Sequence, residues 1–194
     1  MSNAPRILAF AGSAREESFN KRLVRVAAAG AEAAGVACTV LDLRDFPLPI
    51  YDGDLEAAEG LPENAKRLRE LFLAHQGLLI ASPEYNSSIS PLLKNTLDWV
   101  SRAEGATGDL TPYEGKLAAL LAASPGALGG LRGLVTLRSI LGNIGCTVLA
   151  DQLTVRQAGQ AFGPDGSLGD PKQQARAEGL GKQLATRLLR WRDA

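Results

Sequence analysis

Histidine, cysteine and net charge are scarce in this sequence. His75 is the only histidine, and Cys38 and Cys146 are the only cysteines. No CxxC pair exists, which leaves a zinc site of the usual ligand types without its donors. So few cysteines fit a reducing compartment, and the cytoplasm is the expected location. Lysine plus arginine number 21 and aspartate plus glutamate 21. That balance gives no electrostatic footprint for nucleic acid or an anionic membrane. It also lacks the one-sided charge field by which a dedicated electron carrier steers toward protein partners. No stretch has the uninterrupted apolar length of a membrane span. Met1 to Arg6 carries no apolar leader region, and the apolar residues Ile7–Ala11 stop at Gly12, too few for one.

What is present is an ordinary globular mixture, 45% hydrophobic and 22% charged over 194 residues. That is enough for one domain, residues 1–194, with a core needing neither disulfide nor metal. Short apolar runs alternate with amphipathic stretches. Arg6–Ala11, Val36–Leu43, Gly77–Ser82, Lys116–Ser124 and a short Thr147–Leu149 read as strands. Ser18–Ala34, Pro62–His75, Ser90–Val100, Leu131–Asn143 and Pro171–Trp191 read as helices, with Ser18 and Ser90 as N-caps and Pro91 at a first helical position. The Pro- and Asp-rich passage Phe46–Asp54 reads as a long loop. Strands that are continuous apolar runs are those of a parallel sheet buried on both faces. The expectation is a doubly wound α/β domain with strand order 2-1-3-4-5. Cys38 and Cys146 then lie toward opposite edges, where no disulfide can join them.

In such sheets ligands bind beyond the carboxyl ends of the strands, near the switch in strand order. The loop Gly12-Ser-Ala-Arg-Glu-Glu-Ser-Phe-Asn20 joins the first strand to a helix start. Backbone N–H groups, the positive helix end, the neutral donors of Ser13, Ser18 and Asn20, and the Arg15 fork suit a phosphate monoester. The same residues also describe a plain βα loop with a serine cap and a solvated arginine. This loop has no GxxxxGK[ST], no GxGxxG, no cysteine nucleophile and no acidic cluster for magnesium. Ser82-Pro-Glu-Tyr-Asn-Ser-Ser-Ile-Ser-Pro91 is a polar loop stiffened by proline. It offers main-chain donors and acceptors to a planar heterocycle, or else makes an exposed turn with local bonds. Ser124-Pro-Gly-Ala-Leu-Gly-Gly130 permits close backbone approach to a ligand, or serves as a simple connection.

Taken together, Gly-Ser-x-Arg-x-x-Ser-x-Asn, Pro-Glu-Tyr-Asn-x-Ser running on into Leu93-Lys-Asn-Thr-Leu-Asp-Trp99, and Ser-Pro-Gly resemble the NADPH-dependent FMN reductase family. That family includes quinone, chromate and azo-dye reductases. The resemblance spans nearly the whole chain and implies a flavodoxin-like three-layer sandwich. It also implies hydride transfer from NADPH or NADH to FMN, and onward transfer to a small-molecule acceptor. It places Ser13, Arg15, Ser18, Phe19 and Asn20 around the FMN phosphate. Pro83, Glu84, Tyr85, Asn86 and Ser87 would line the isoalloxazine edge, largely through backbone, with Ser124 and Gly126 closing the other side. The cofactor carries the chemistry in such an enzyme, so no general acid or base is assigned. The chain departs from the pattern where many relatives have glycine at Ser87 and proline-glycine at Ser90-Pro91. A positive φ at Ser87 would strain it mildly.

The resemblance also implies a homodimer or homotetramer in which the helix carrying Lys94, Asp98 and Trp99 takes part. Lys94 and Asp98 stand four apart and form a weak surface pair on their own account. The loop around Tyr51, Asp52 and Asp54 is expected near a neighbouring subunit's site. His75, at a helix end, is read as a C-terminal charge partner or a surface residue. The rival readings are a flavodoxin-type electron-transfer protein without its own NAD(P)H oxidation, a reductase using FMN as a diffusible substrate, and a flavin-free interaction module.

Overall fold

The computed structural model describes residues 4–192; of the N-terminal stretch read above, Met1 to Asn3 lie outside the described residues. Five parallel strands form the central sheet: β1 (Arg6–Ala11), β2 (Ala37–Leu41), β3 (Gly77–Ala81), β8 (Leu117–Ala123) and β9 (Thr147–Val155). Two antiparallel hairpins interrupt the count, β4 (Glu84–Tyr85) with β5 (Ser88–Ile89), and β6 (Arg102–Ala103) with β7 (Thr107–Gly108). The sheet order β2-β1-β3-β8-β9 is 2-1-3-4-5 once the hairpins are set aside, the order expected of a flavodoxin-like fold. The helices are α1 (Phe19–Ala33), α2 (Gly53–Glu59), α3 (Glu63–Leu73), α4 (Pro91–Val100), α5 (Leu131–Asn143), α6 (Ala158–Ala161) and α7 (Pro171–Arg192).

Alternate residues of each strand feed opposite cores, as the pleat requires. Ile7, Ala9, Leu79 and Leu121 pack with α1 and α7 on one face. Leu8, Phe10, Ile80 and Leu120 pack with α3, α4 and α5 on the other. Both faces are apolar, which is why the strands read as unbroken runs.

The structure corrects four sequence readings. The second strand ends at Leu41 because Asp42 turns its carboxylate to Arg44 N (3.0 Å) and starts a short 3-10 turn, Leu43–Asp45. Strand β9 runs to Val155 rather than Leu149. An irregularity places Val148 opposite Ala118 but Gln152 opposite Leu120. There the Arg138 guanidinium donates to Leu149 O at 2.8 Å and to Gln152 Oε1 at 3.0 Å. The passage read as loop contains α2, whose start Asp52 caps through Asp54 N at 2.9 Å. Finally His75 is fully buried, with Nδ1 2.6 Å from Leu71 O and Nε2 2.8 Å from Thr39 Oγ1. It does serve the end of its helix, but as a neutral ring inside the protein, not as a surface charge.

Trp99 is core: its ring is fully buried and Nε1 donates to Pro49 O at 2.8 Å. Asn95 holds the same loop through Tyr51 N and Pro49 O, each at 2.8 Å. Glu56 of α2, 2% exposed, accepts from Arg102 Nε at 2.9 Å and from Tyr51 Oη at 3.1 Å. Lys94 and Asp98 form the expected exposed pair at 2.8 Å. Both cysteines are free thiols. Burial pushes Cys38 up to about 11, helped by Glu32, and Cys146 to about 12, so neither is a nucleophile near neutral pH.

Candidate functional site

The three loops singled out in the sequence leave the carboxyl ends of β1, β3 and β8, three adjacent strands. Hydrogen bonds distant in sequence tie them to one another. Ser90 Oγ donates to Gly12 O at 2.6 Å and accepts from Leu93 N at 3.1 Å. The end of the second loop and the cap of α4 are thereby fixed to the first loop. Gly12 must lack a side chain, since a Cβ there would stand 2.9 Å from Leu93 Cβ. Asn20 reaches across to β8, with Nδ2 donating to Ala123 O and Oδ1 accepting from Ala123 N, both at 2.9 Å. It is 3% exposed. Its amide therefore joins the first loop to the end of β8, where the third loop begins, instead of being wholly available to a phosphate.

The first loop ends on a helix N-terminus that, among the long helices described, has neither a side-chain capping bond nor an acidic residue in its first turn. Ser18 sits at the N-cap of α1 with extended backbone, yet its hydroxyl makes no capping bond, and no acidic residue stands in the first turn. Elsewhere among the described residues the long helices are served. Ser90 caps α4, Asp170 Oδ1 accepts from Lys172 N at 2.9 Å at the start of α7, and α3 carries Glu63 in its first turn. Glu84 supplies α5 from another loop, through Arg132 N at 2.9 Å and Gly133 N at 3.1 Å. The orphan N–H groups and positive end of α1 are thus open to an external anion. The acids nearest in sequence are neutralised, Glu17 by Arg22 and Glu16 by Arg44. Arg15 is exposed, and Ser13, 5% exposed, accepts from Arg15 N at 3.3 Å.

The second loop makes the β4–β5 hairpin. Asn86 and Ser87 at its tip have φ of 50° and 69°. This is the left-handed pair of a two-residue hairpin turn, where glycine would be preferred at the second place. Serine there carries the strain foreseen from the sequence. Pro83 is buried, Glu84 is half-buried, and Tyr85, Asn86 and Ser87 are exposed. Burial raises the Glu84 carboxyl, but the bonds from Gly133 and Arg132 and the Arg132 charge outweigh it, and the net direction is downward. Glu84 is therefore an anion whose side chain faces α5.

The third loop is moulded by close approach. Gly129 and Gly130 have φ of 63° and 92°. A Cβ on Gly130 would stand 2.7 Å from Ala122 Cβ. Ser124 Oγ accepts from Gly126 N at 3.2 Å, and Ser124 O accepts from Ala158 N at 3.1 Å. One contributor was not named from the sequence. Phe162, after α6, stacks on Phe19 with centroids 6.1 Å apart and planes 7° apart, which flanks the start of α1. Only an aromatic residue in the last connection could have signalled it.

What this arrangement can do is hold a phosphate at the α1 end and a flat ring between rigid main-chain loops. Among the described residues no group of three or more metal-ligating side chains comes together, and His75 lies before β3, away from the carboxyl ends of the strands.

Comparison with known proteins places the chain by family and by fold. Over residues 5–160 the chain matches the family model for NADPH-dependent FMN reductase. It is 35% identical over 173 residues to an NAD(P)H-dependent FMN reductase from Pseudomonas aeruginosa, covering 89% of both chains. A quinone reductase from Escherichia coli is 34% identical over 141 residues, covering 73% of this chain and 71% of that one. A solved structure, the flavoenzyme NAD(P)H:(acceptor) oxidoreductase from Paracoccus denitrificans, superposes with a TM-score of 0.80 at 27% identity, over 96% and 98% of the two chains.

Proposed function

The chain belongs to the NADPH-dependent FMN reductase family, and we propose on that premise how its own loops serve the reaction. It is an FMN-dependent oxidoreductase that takes reducing equivalents from NAD(P)H and passes them to a small-molecule acceptor. FMN, when bound, supplies the redox chemistry, accepting hydride and giving up electrons. The residues of this chain bind and orient. Ser13, Arg15, Ser18 and the first N–H groups of α1 hold the phosphate, with Phe19 and Phe162 walling its side and Asn20 fixing the wall to β8. Main-chain groups of Pro83 to Ser87 flank the ring on one side, and Ser124 and Gly126 on the other.

The observation that carries the assignment is the uncapped α1 terminus, where a serine stands at the N-cap and bonds nothing in its own helix. A doubly charged monoester supplies the acceptors that helix lacks. Residues 1–194 act in this reading as one flavin-binding domain working in the cytoplasm. The chain pairs with further copies of itself through α4 and the loop it anchors. Ile50, 85% exposed, supports that surface, because it projects from the loop held by Asn95 and Trp99.

The test is a visible spectrum of the purified protein after loading with FMN and desalting, followed by anaerobic titration with NADPH. A retained flavin spectrum that bleaches is expected. A retained flavin that NADPH cannot bleach would make the protein an electron carrier instead. Light scattering after size exclusion should give the mass of a dimer or tetramer; a monomeric mass would remove the oligomer.

A further inference from the structure

Glu84 stands in the loop assigned to the ring edge, yet its carboxylate points to a different element. Oε2 accepts from two successive backbone amides, Arg132 N at 2.9 Å and Gly133 N at 3.1 Å. Oε1 accepts from the Arg132 side chain, with Nε at 2.8 Å and Nη2 at 2.6 Å. The Glu84 side chain is 8% exposed, whereas Arg132 is 57% exposed. The helix receiving these bonds has no cap of its own: its N-cap position is Gly130, in the left-handed region. Gly133 lets the hairpin and helix close up, since a Cβ there would stand 3.2 Å from Ser88 O and 3.4 Å from Glu84 Cβ.

Polar contacts thus brace the three loops. Ser90 to Gly12 joins the second loop to the first, and Asn20 joins the first to Ala123, the last residue of β8 and the one from which the third loop leaves. Glu84 joins the second loop to Arg132 and Gly133 in the first turn of α5, the helix into which the third loop leads. The first two contacts also serve the core elements they leave. The third has a distinct task, because β4–β5 is a two-stranded hairpin outside the main sheet and is not stable by itself. Its C-terminal side is held, with Ile89 packed in the core and Ser90 bonded to Gly12, and on its N-terminal side Glu84 makes the side-chain bonds that tie it to α5.

We propose that Glu84 is a positioning residue: by capping α5 across the site through Oε2, it holds the Pro83–Ser87 hairpin at the spacing from the Ser124–Gly130 loop that a flavin ring requires. This rests on the reading of those loops as the flavin seat. The ion pair to Arg132 is secondary, since Arg132 is exposed and screened. The two amide bonds, made to a charged acceptor and one of them part-buried, are the part that fixes geometry.

The two roles separate by substitution. A glutamine at this position can turn its carbonyl oxygen to both amides, keeping the cap and losing the ion pair. Arg132→Ala keeps both amides and loses the ion pair from the other side. Alanine at 84 loses everything. FMN dissociation constants are measured by flavin fluorescence quenching on the full chain stripped of FMN, with Arg15→Ala as the reference for phosphate binding. Glu84→Ala should weaken FMN roughly tenfold or more, the scale of a lost cap and a displaced loop. Glu84→Gln and Arg132→Ala should stay within about threefold of the parent. If Glu84→Gln and Arg132→Ala each lose as much as Glu84→Ala, the ion pair is what matters and the capping role falls. If Glu84→Ala binds FMN like the parent while Arg15→Ala does not, the positioning role falls and the flavin site stands. If Arg15→Ala also binds like the parent, the flavin seat itself is misplaced. Should Glu84→Ala not fold, the glutamine and Arg132 variants still decide between cap and ion pair.

Discussion

At the scale of single residues, His75 shows how burial changes chemistry. Burial lowers its pKa, the Leu71 carbonyl acts the other way, and the charges of Arg6 and Lys116 add to the lowering. The groups facing it from neighbouring elements are Thr39 on β2, Leu71 on its own helix, and the cations Arg6 on β1 and Lys116 ahead of β8, whose Nζ donates to His75 O. With the folded pKa below the unfolded one, the neutral ring's contribution is complete above the unfolded value of about 6.5. It is lost as pH falls through the folded value, because the unfolded chain takes up the proton first. Each unit of lowering is worth about 1.4 kcal/mol. The urea midpoint should therefore drop between pH 7 and pH 5, and His75→Gln should drop less. Parallel curves for the two proteins would show that His75 does not carry the effect. The sequence could not reveal this, because position 75 follows an amphipathic helix and its depth depends on Thr39, which is 36 residues away.

At the scale of elements, two serines that look alike in sequence do opposite work. Ser90 caps α4 and also donates to Gly12 O, whereas Ser18 starts α1 without a capping bond. Ser90→Ala should cost about 2–3 kcal/mol, a lost cap plus a buried carbonyl left without its partner. Ser18→Ala should cost less than about 0.5 kcal/mol in the FMN-free protein, since no bond within the helix is removed. It should nonetheless weaken FMN several-fold. Thermal melts with and without FMN check both, because a ligand that binds only the folded state raises the melting temperature in step with its affinity. A large loss of stability in the FMN-free Ser18→Ala protein would mean that the hydroxyl does cap, and the anion site would lose its best support. Both helix starts were legible, because cap residues and Pro91 are local signals. What each hydroxyl bonds was not, since Gly12 and Ser90 meet only once β1 has paired with β3. The missed length of β9 has the same cause. Asp151 and Gln152 interrupt the apolar run, and their partners, Gln183 of α7 and Arg138 of α5, come from elsewhere in the chain. Helix α2 was hidden by the prolines before it and by Glu56, a charge buried against Arg102 and Tyr51.

At the scale of the whole molecule, strand order and the placing of the three loops followed from the alternation of apolar runs with amphipathic stretches. The packing that holds α1 in place did not. Gly30 falls on the buried face of α1, and Gly179 and Gly181 in the closing helix look alike in sequence, each weakening a helix by about 1 kcal/mol relative to alanine. The fold separates them. A Cβ on Gly181 would overlap Ala27 O and stand 2.8 Å from Ala27 C, while a Cβ on Gly30 would overlap Glu178 O. Nothing lies within 4 Å of a Cβ on Gly179. The backbones of α1 and α7 touch where these two glycines face the opposite helix, and the start of α1 carries the turn proposed to hold the phosphate. Gly179→Ala should therefore stabilise the protein by up to about 1 kcal/mol through helix propensity alone. Gly181→Ala gains the same term but must push the helices apart, at a cost of about 3 kcal/mol or more, so overpacking wins. Because α1 then moves, Gly181→Ala should also bind FMN more weakly, while Gly179→Ala binds it like the parent. Urea midpoints and FMN titrations on the two variants check this together. Equal stability for both would mean that the helices can part at no cost, and that the close crossing does not position the flavin site.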